Sequence, residues 1–387
     1  MQFFVMEGTN MSHIFLASPH MSDEGYEQKY IKEAFDTNWI APLGKNVNEF
    51  ENEMKDKLGA KAAVALSCGT AAIHMALKSI GIKQGDLVFC QTLTFSASAN
   101  PITYEKAVPV FIDSDESWNM SPAALKKAFE KYKDNLPKAV IVVHLYGLAA
   151  NIKEIKEICD EYGVPLIEDA AESLGTTVNG QYTGTFGDYG IISFNGNKII
   201  TSSGGGMLLF NTEDAAERAK KVLFWSTQAR EQARHYEHKE IGYNYRMSNI
   251  VAGIGRGQLK VLDQRIAKKR YIYEYYQKEI GNLEGLTMMP RDKYGSYSNC
   301  WLSTIQLDEN CKVRPIDIMV ALEENDIESR PVWKPMHLQP VFKNHDYIDN
   351  DQTSEKLFTN GVCLPSDTKM NDEDLERICN IIKGLWK

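Results

Sequence analysis

The sequence predicts an α/β protein in two parts: a large domain built on a mixed, mostly parallel sheet and a smaller α+β C-terminal domain. Its 387 residues are 43% hydrophobic and 25% charged, an ordinary globular composition with chain enough for about two domains. From residue 60, short β-rich apolar runs alternate with longer helical patterns, as in parallel sheets covered by helices on both faces. After residue 250 the alternation stops. The expected division is an N-terminal extension and arm over 1–25, a large domain over 26–250, and a linking helix with the small domain over 251–387.

The elements follow in order. "AAVAL" reads as a strand before the helix "TAAIHMALKSI", and "DLVFCQ" precedes "FSASANPITYEKA". "VPVFID" leads to "SPAALKKAFEKYK", "KAVIVVHL" to "NIKEIKEICDEYG", and "VPLIEDA" closes the series. "DYGIISFN" and "GGGMLLF" then arrive with no helix between them, so the sheet is expected to end in a hairpin or an antiparallel strand. "GQLKVLDQRIAKKRYIYEYYQKEI" reads as one long polar helix, followed by "NCWLSTIQL" and helical stretches around 315–326 and 371–386. Residues 1–10 are expected to be an unstructured extension, with Met6 and Met11 as alternative starts.

Composition narrows the function classes. Net charge is −9 with no Lys/Arg block, which argues against nucleic acid or an acidic membrane as a partner. Seven cysteines without a CxxC pair or His-rich spacing argue against a disulfide framework and a zinc site, and fit a reducing cytosol. The opening residues lack a basic n-region, and no run of about 18 apolar residues occurs, so a soluble cytoplasmic chain is expected. A small molecule or another protein chain remains as partner.

In open α/β sheets ligands bind at the carboxyl ends of the strands, and four such ends carry polar or aromatic residues. In "ALSCGTAAIHMAL", Ser67, Cys68 and Gly69 form a small-residue turn before a helix opening at Thr70. Such a turn is either an ordinary N-cap or an anion site. In "VPLIEDAAESLG" the strand ends in Glu168 and Asp169, with Glu172 three residues on. Asp169 is either the N-cap of a following helix or a buried carboxylate that needs a cationic partner. Phe95 in "CQTLTFSASAN" is either core or a platform for an aromatic ligand. In "SFNGNKIITSSGGG", Ser193 stands five residues before Lys198, which is either a solvated turn lysine or a reactive amine beside a glycine run. Taken in chain order, an anion turn, an aromatic, a strand-terminal Asp and a Ser-x-x-x-x-Lys are what a pyridoxal phosphate site needs.

The stretches "SFNGNKIITSSGGG", "EDAAESLG", "SCGTAAIHMAL" and "GYNYRMSN" resemble the DegT-type sugar aminotransferases, pyridoxal phosphate enzymes of the aspartate-aminotransferase-like fold (fold type I). The resemblance runs from "NWIAPLG" at 38 to "GVCLPSD" at 361. "SRPVWKPMHLQPVF" and "LFWSTQARE" are similar, more narrowly, to members that aminate UDP-4-keto-6-deoxy-N-acetylglucosamine, as in bacillosamine synthesis. The stretch "TSSGGG" departs from the "TGEGG"-like pattern of many members, which bears on the loop beside Lys198.

The resemblance implies that Lys198 bonds the cofactor aldehyde and later moves a proton, and that Asp169 keeps the ring nitrogen protonated. It puts Glu172 at the ring's phenolic oxygen and Phe95 against the ring face. Gly69, Thr70 and Ser193 take the phosphate, and Asn244 reaches the phosphate of a neighbouring subunit's cofactor, so a homodimer with shared sites is implied. The amine would pass from glutamate, through pyridoxamine phosphate, to a keto sugar. His144, Tyr146, Trp333 and His337 are candidates to line a nucleotide-sugar pocket. Arg230 and Arg246 are candidate diphosphate or carboxylate partners. The alternatives are a GDP- or dTDP-linked 4-keto sugar, a 3-keto sugar, and a non-catalytic sensor or scaffold that keeps the fold.

Overall fold

A computed structural model describes residues 13–387; the expected extension at 1–10, with Met6 and Met11, lies outside them. The first helices are α1 (Tyr26–Asp36) and α2 (Lys45–Leu58). The expected alternation then follows as β1 (Ala62–Leu66), α3 (Gly69–Ile80), β2 (Leu87–Gln91), α4 (Ser96–Tyr104), β3 (Val108–Ile112), α5 (Pro122–Lys131), β4 (Ala139–Val143), α6 (Ile152–Glu161) and β5 (Leu166–Asp169). Two short strands, β6 (Thr177–Val178) and β7 (Gln181–Tyr182), precede the pair β8 (Tyr189–Ser193) and β9 (Gly206–Phe210), and α7 (Ala215–Ser226) comes after them.

The large sheet has eight strands in the order β1-β9-β8-β5-β4-β2-β3-β14, where β14 is Tyr347–Ile348. Strands β2, β3, β4, β5, β8 and β14 run parallel, and β9 runs antiparallel to both its neighbours. The expected antiparallel strand is therefore present, but it does not end the sheet: β1 lies outside it. The sheet is buried on both faces, which explains the unbroken apolar run of β4. Val140 and Val142 pack with Leu125 and Phe129 of α5 and Ile155 of α6, while Ile141 packs on the opposite side with Ile73 and Leu77 of α3.

The expected single polar helix after residue 250 is two helices, α8 (Asn249–Leu259) and α9 (Leu262–Glu279). Val261, between them, has φ −108° and ψ 6°, outside helical geometry. The rest comprises β10 (Leu286–Met288), β11 (Ser296–Tyr297), β12 (Ser303–Leu307), α10 (Pro315–Glu323), β13 (Arg330–Pro331), α11 (Thr353–Asn360), β15 (Gly361–Leu364) and α12 (Asp372–Gly384). A second sheet, β10-β12-β15-β13, shares an apolar cluster with α9, α10 and α12. Not all of the chain beyond 250 stays there: β14 returns to the large sheet, and β11 pairs with β6. The segment from Ile14 to His20 lies on the C-terminal part, with Ile14 bridged to Ile327 and Leu16 N–H donating to Glu328. Among the described residues no helix is long and apolar enough to cross a membrane.

Candidate active site

Register brings the chemistry together. Because β9 is antiparallel to both β1 and β8, Leu66, Gly206 and Ser193 stand in one row at the carboxyl ends of β1 and β8. Asp169 ends β5 beside Ile191, one strand over. The turn after β1 must pass directly over Gly206: a Cβ there would lie 2.3 Å from the Cys68 carbonyl carbon and 2.5 Å from Gly69 N. That contact accounts for the last glycine of the run after Lys198. Cys68, not Ser67 or Thr70, is the N-cap of α3, its Sγ accepting from Ala71 N–H at 3.4 Å.

These strand ends floor a cavity of about 670 Å³. Gly69, Thr70, Phe95, Asp169, Glu172, Ser193 and Lys198 all line it, so seven of the residues singled out in the sequence share one space. Lys198 Nζ donates to Glu172 Oε1 at 3.2 Å and lies 4.2 Å from the centre of the Trp301 ring. Glu172 Oε2 accepts from Tyr146 N–H at 2.8 Å. Burial pushes the Glu172 carboxyl above the usual range, against the opposing pull of the Lys198 charge. Asp169 Oδ2 accepts from Ser98 at 2.6 Å, and Oδ1 from Ala171 N–H at 3.2 Å. A turn rather than a helix follows Asp169, so it is no N-cap. Phe95 is 58% exposed, its ring open to the cavity and 5.6 Å from that of Trp333.

The donor set fits pyridoxal phosphate. A helix N-terminus with small residues supplies N–H donors and a positive dipole end for a phosphate. A strand-end carboxylate can hold a protonated ring nitrogen, Phe95 offers a free ring face, and the half-buried Lys198 amine lines the same cavity.

The proposed substrate residues separate. Trp333 lines the cavity, its N–H donating to the Tyr146 hydroxyl at 3.2 Å. Tyr146 lies behind that wall, 1% exposed. His144 is fully buried on the far side of β5, with Nε2 2.9 Å from Glu168 and Nδ1 accepting from Ala150 N–H, so it serves the fold instead of a pocket. His337 is bonded to Thr92 and Glu355 and stacked on Tyr347, away from the cavity lining. Arg246 is consumed by Glu51 and by the Ala65 carbonyl. Arg230 is exposed, over Tyr236 at 4.4 Å, and Asn244 is exposed on a segment bridged to Thr227. Neither lines the cavity of its own chain.

Sequence reasoning missed Trp301, Arg330, Lys334 and Leu16 among the lining residues. It also missed the pair Thr94 and Ser98, hydroxyls 2.7 Å apart, which backs Asp169.

Residues 22–383 match the model of the DegT/DnrJ/EryC1/StrS aminotransferase family. The chain belongs to that family. EpsN of Bacillus subtilis (strain 168), whose name assigns it to the pyridoxal phosphate-dependent aminotransferases, is 53% identical over 379 residues, 96% of each chain. GDP-perosamine synthase of Vibrio cholerae is 39% identical, covering 94% of this chain and 97% of its own. The crystal structure of a DegT DnrJ EryC1 StrS aminotransferase from Brucella abortus matches with a TM-score of 0.85 at 28% identity, over 93% of this chain and 95% of that one. The protein is thus a pyridoxal phosphate-dependent sugar aminotransferase with the aspartate-aminotransferase-like fold. The "TSSGGG" stretch forms a turn beside Lys198. Ser203 stands at φ 76° with its N–H bonded to Thr201 Oγ1, and Ser202 Oγ donates to the Gly204 carbonyl, so hydroxyls hold this turn.

Proposed function

We propose that the enzyme transfers the amino group of glutamate to the C4 keto carbon of a nucleotide-linked 4-keto-6-deoxy sugar, with UDP-4-keto-6-deoxy-N-acetylglucosamine as the acceptor. The observation that carries the reaction type is the Lys198 amine 3.2 Å from Glu172 on the floor of a cavity that also holds Asp169 and the α3 N-terminus. Bound pyridoxal phosphate supplies an aldehyde that carries the amine and a ring that accepts the electron pair of the broken C–H bond.

The chain's own residues do the rest. Lys198 Nζ is the amine that would bond the aldehyde, and when free it would carry the proton between the cofactor and the substrate carbon, the donor's α-carbon in one half of the exchange and the acceptor's C4 in the other. Asp169, steadied by Ser98 and Ala171, is the carboxylate that would hold the protonated ring nitrogen. Glu172 holds Lys198 at one oxygen and is itself held at the other by the Tyr146 N–H. Gly69, Thr70 and Ser193 take the phosphate, and Phe95 covers a ring face. Trp333 and the cations Arg330 and Lys334 line the same cavity and suit a sugar nucleotide. The enzyme acts as a homodimer in which Asn244 serves the neighbouring site. The exposed apolar residues Trp39, Ile40 and Leu43 support this, since Ala41 O of that stretch accepts from Asn249 N–H, five residues past Asn244.

A GDP-linked 4-keto sugar is the second reading, favoured by the GDP-perosamine synthase relative. The visible spectrum of the purified enzyme decides between them. Glutamate should remove the cofactor's visible band in wild type and the UDP-linked keto sugar should restore it, a cycle that Lys198→Ala, lacking the amine that forms the band, should not show. Restoration by the GDP-linked sugar alone selects the second reading. No response to glutamate defeats the proposed donor.

A further inference from the structure

Lys198 does not face its carboxylate alone. Its Nζ lies 4.2 Å from the centre of the Trp301 ring and 3.2 Å from Glu172 Oε1, held between a π face and an anion. Trp301 is 2% exposed, and what remains accessible is cavity wall. The residue is fixed at three points. Its backbone N–H donates to Asn299 Oδ1 at 2.9 Å, its indole Nε1–H to the Asn197 carbonyl at 2.8 Å, and its carbonyl accepts from Lys269 Nζ at 2.9 Å. Asn299 also donates to the carbonyls of Glu172 and Leu174, so one amide ties the ring to the segment that carries Glu172. The indole bond to Asn197 does the same for the neighbour of Lys198. Both partners of the amine are thus set relative to it by the same small network.

A tryptophan face attracts a cation and has little preference for a neutral amine. We propose that Trp301 is a positioning residue for Lys198: it seats the ammonium form of Nζ whenever that amine is not bonded to the cofactor, and so sets the pH at which the amine becomes free to react. This rests on Lys198 being the amine that bonds pyridoxal phosphate. Loss of the ring face removes a partner of the charged form, so a variant that keeps the site closed to water should lower the pH midpoint for reaction. Other ionisable groups share the two cavities that Lys198 lines: Asp169, Glu172, Cys68, Cys363, Arg330 and Lys334 in one, His20 and Lys269 in the other.

The experiment mixes cofactor-free enzyme with pyridoxal phosphate and follows growth of the visible band against pH, with no donor or sugar present. Wild type is compared with Trp301→Phe and Trp301→Leu; circular dichroism checks the fold, and Trp301→Met replaces the Leu variant if that one does not fold. The aliphatic variant should show a midpoint lower by roughly 0.5–1.5 units, with Phe falling between it and wild type. Equal midpoints in all three, or equal shifts for Phe and the aliphatic variant, overturn the role of the ring. Lys198→Ala should form no band at any pH. A normal band there would instead defeat the assignment of Lys198, a failure separate from that of Trp301. The identity of the sugar does not enter either result.

Discussion

The cavity floor and the layer behind it are built from the same residue types and treat them in opposite ways. The floor carries Asp169 of β5 and the half-buried Lys198; Glu168 of β5 lies behind it, and Lys269 of α9 is buried against Trp301. Behind the floor, Glu168 is fully buried and accepts from the N–H groups of Gly184, Phe186 and Gly187 as well as meeting His144. Lys269 spans the Trp301 and Ser366 carbonyls. On the floor, Asp169 has two donors, and Lys198 has one acceptor and a ring. Glu168, with four donors on its two oxygens, is part of the scaffold, whereas Asp169 and Lys198 keep bonding capacity open on the cavity and are available to a ligand.

The floor should show the largest effects on rate. Lys198→Ala is expected to cut amination by at least about 10³-fold while the melting temperature stays near wild type, because the residue is held by few bonds. Asp169→Asn keeps the shape and removes the charge, and should cost about 10²–10³-fold in kcat. Steady-state kinetics with glutamate and the keto sugar check both. A loss for Asp169→Asn below tenfold would break the distinction between floor and backing.

Glu168→Gln sharpens the comparison from the other side. The amide NH₂ must then face backbone donors that the carboxylate accepted, leaving buried N–H groups unpaired at a cost of about 2–4 kcal/mol in stability. Urea unfolding should register that loss, and kcat per folded enzyme should change far less than in Asp169→Asn.

The same comparison explains what could be read from the sequence. The alternation of apolar runs and helices placed the strands of the large sheet, because strands buried on both faces are continuous in apolar residues. Strand periodicity says that Glu168 and Asp169 point to opposite faces, but not which face carries the cavity. His144 therefore looked like pocket lining, although its ring serves Glu168. Arg246 failed for a related reason: its partner Glu51 lies 195 residues earlier, beyond any local pattern. Trp301 sits where chain beyond residue 250 comes back over Lys198, and nothing in "NCWLSTIQL" announces that return. The position of β9 inside the sheet depends on its pairing with β1, about 140 residues earlier, which a local hairpin signal cannot carry.

Lys269 gives the smallest net effect and the most specific signature. Burial depresses its amine from the ordinary 10.5 to about 8, so at pH 7 the folded protein carries an ammonium at a cost of about 3 kcal/mol relative to the unfolded chain. Lys269→Met removes that cost but leaves the Trp301 and Ser366 carbonyls without their donor, a loss of similar size. At pH 7 the two changes should cancel to within about 1 kcal/mol. Between pH 8 and 10.5 the unfolded chain binds the extra proton and the folded one does not, so wild-type stability rises with pH through that window from this group alone. The variant lacks the rise. Urea unfolding of both proteins at pH 7 and pH 10 should therefore show wild type gaining about 2–3 kcal/mol over Lys269→Met, with other titrations cancelling in the difference. A gap independent of pH would mean that Lys269 is already fully compensated as an ammonium.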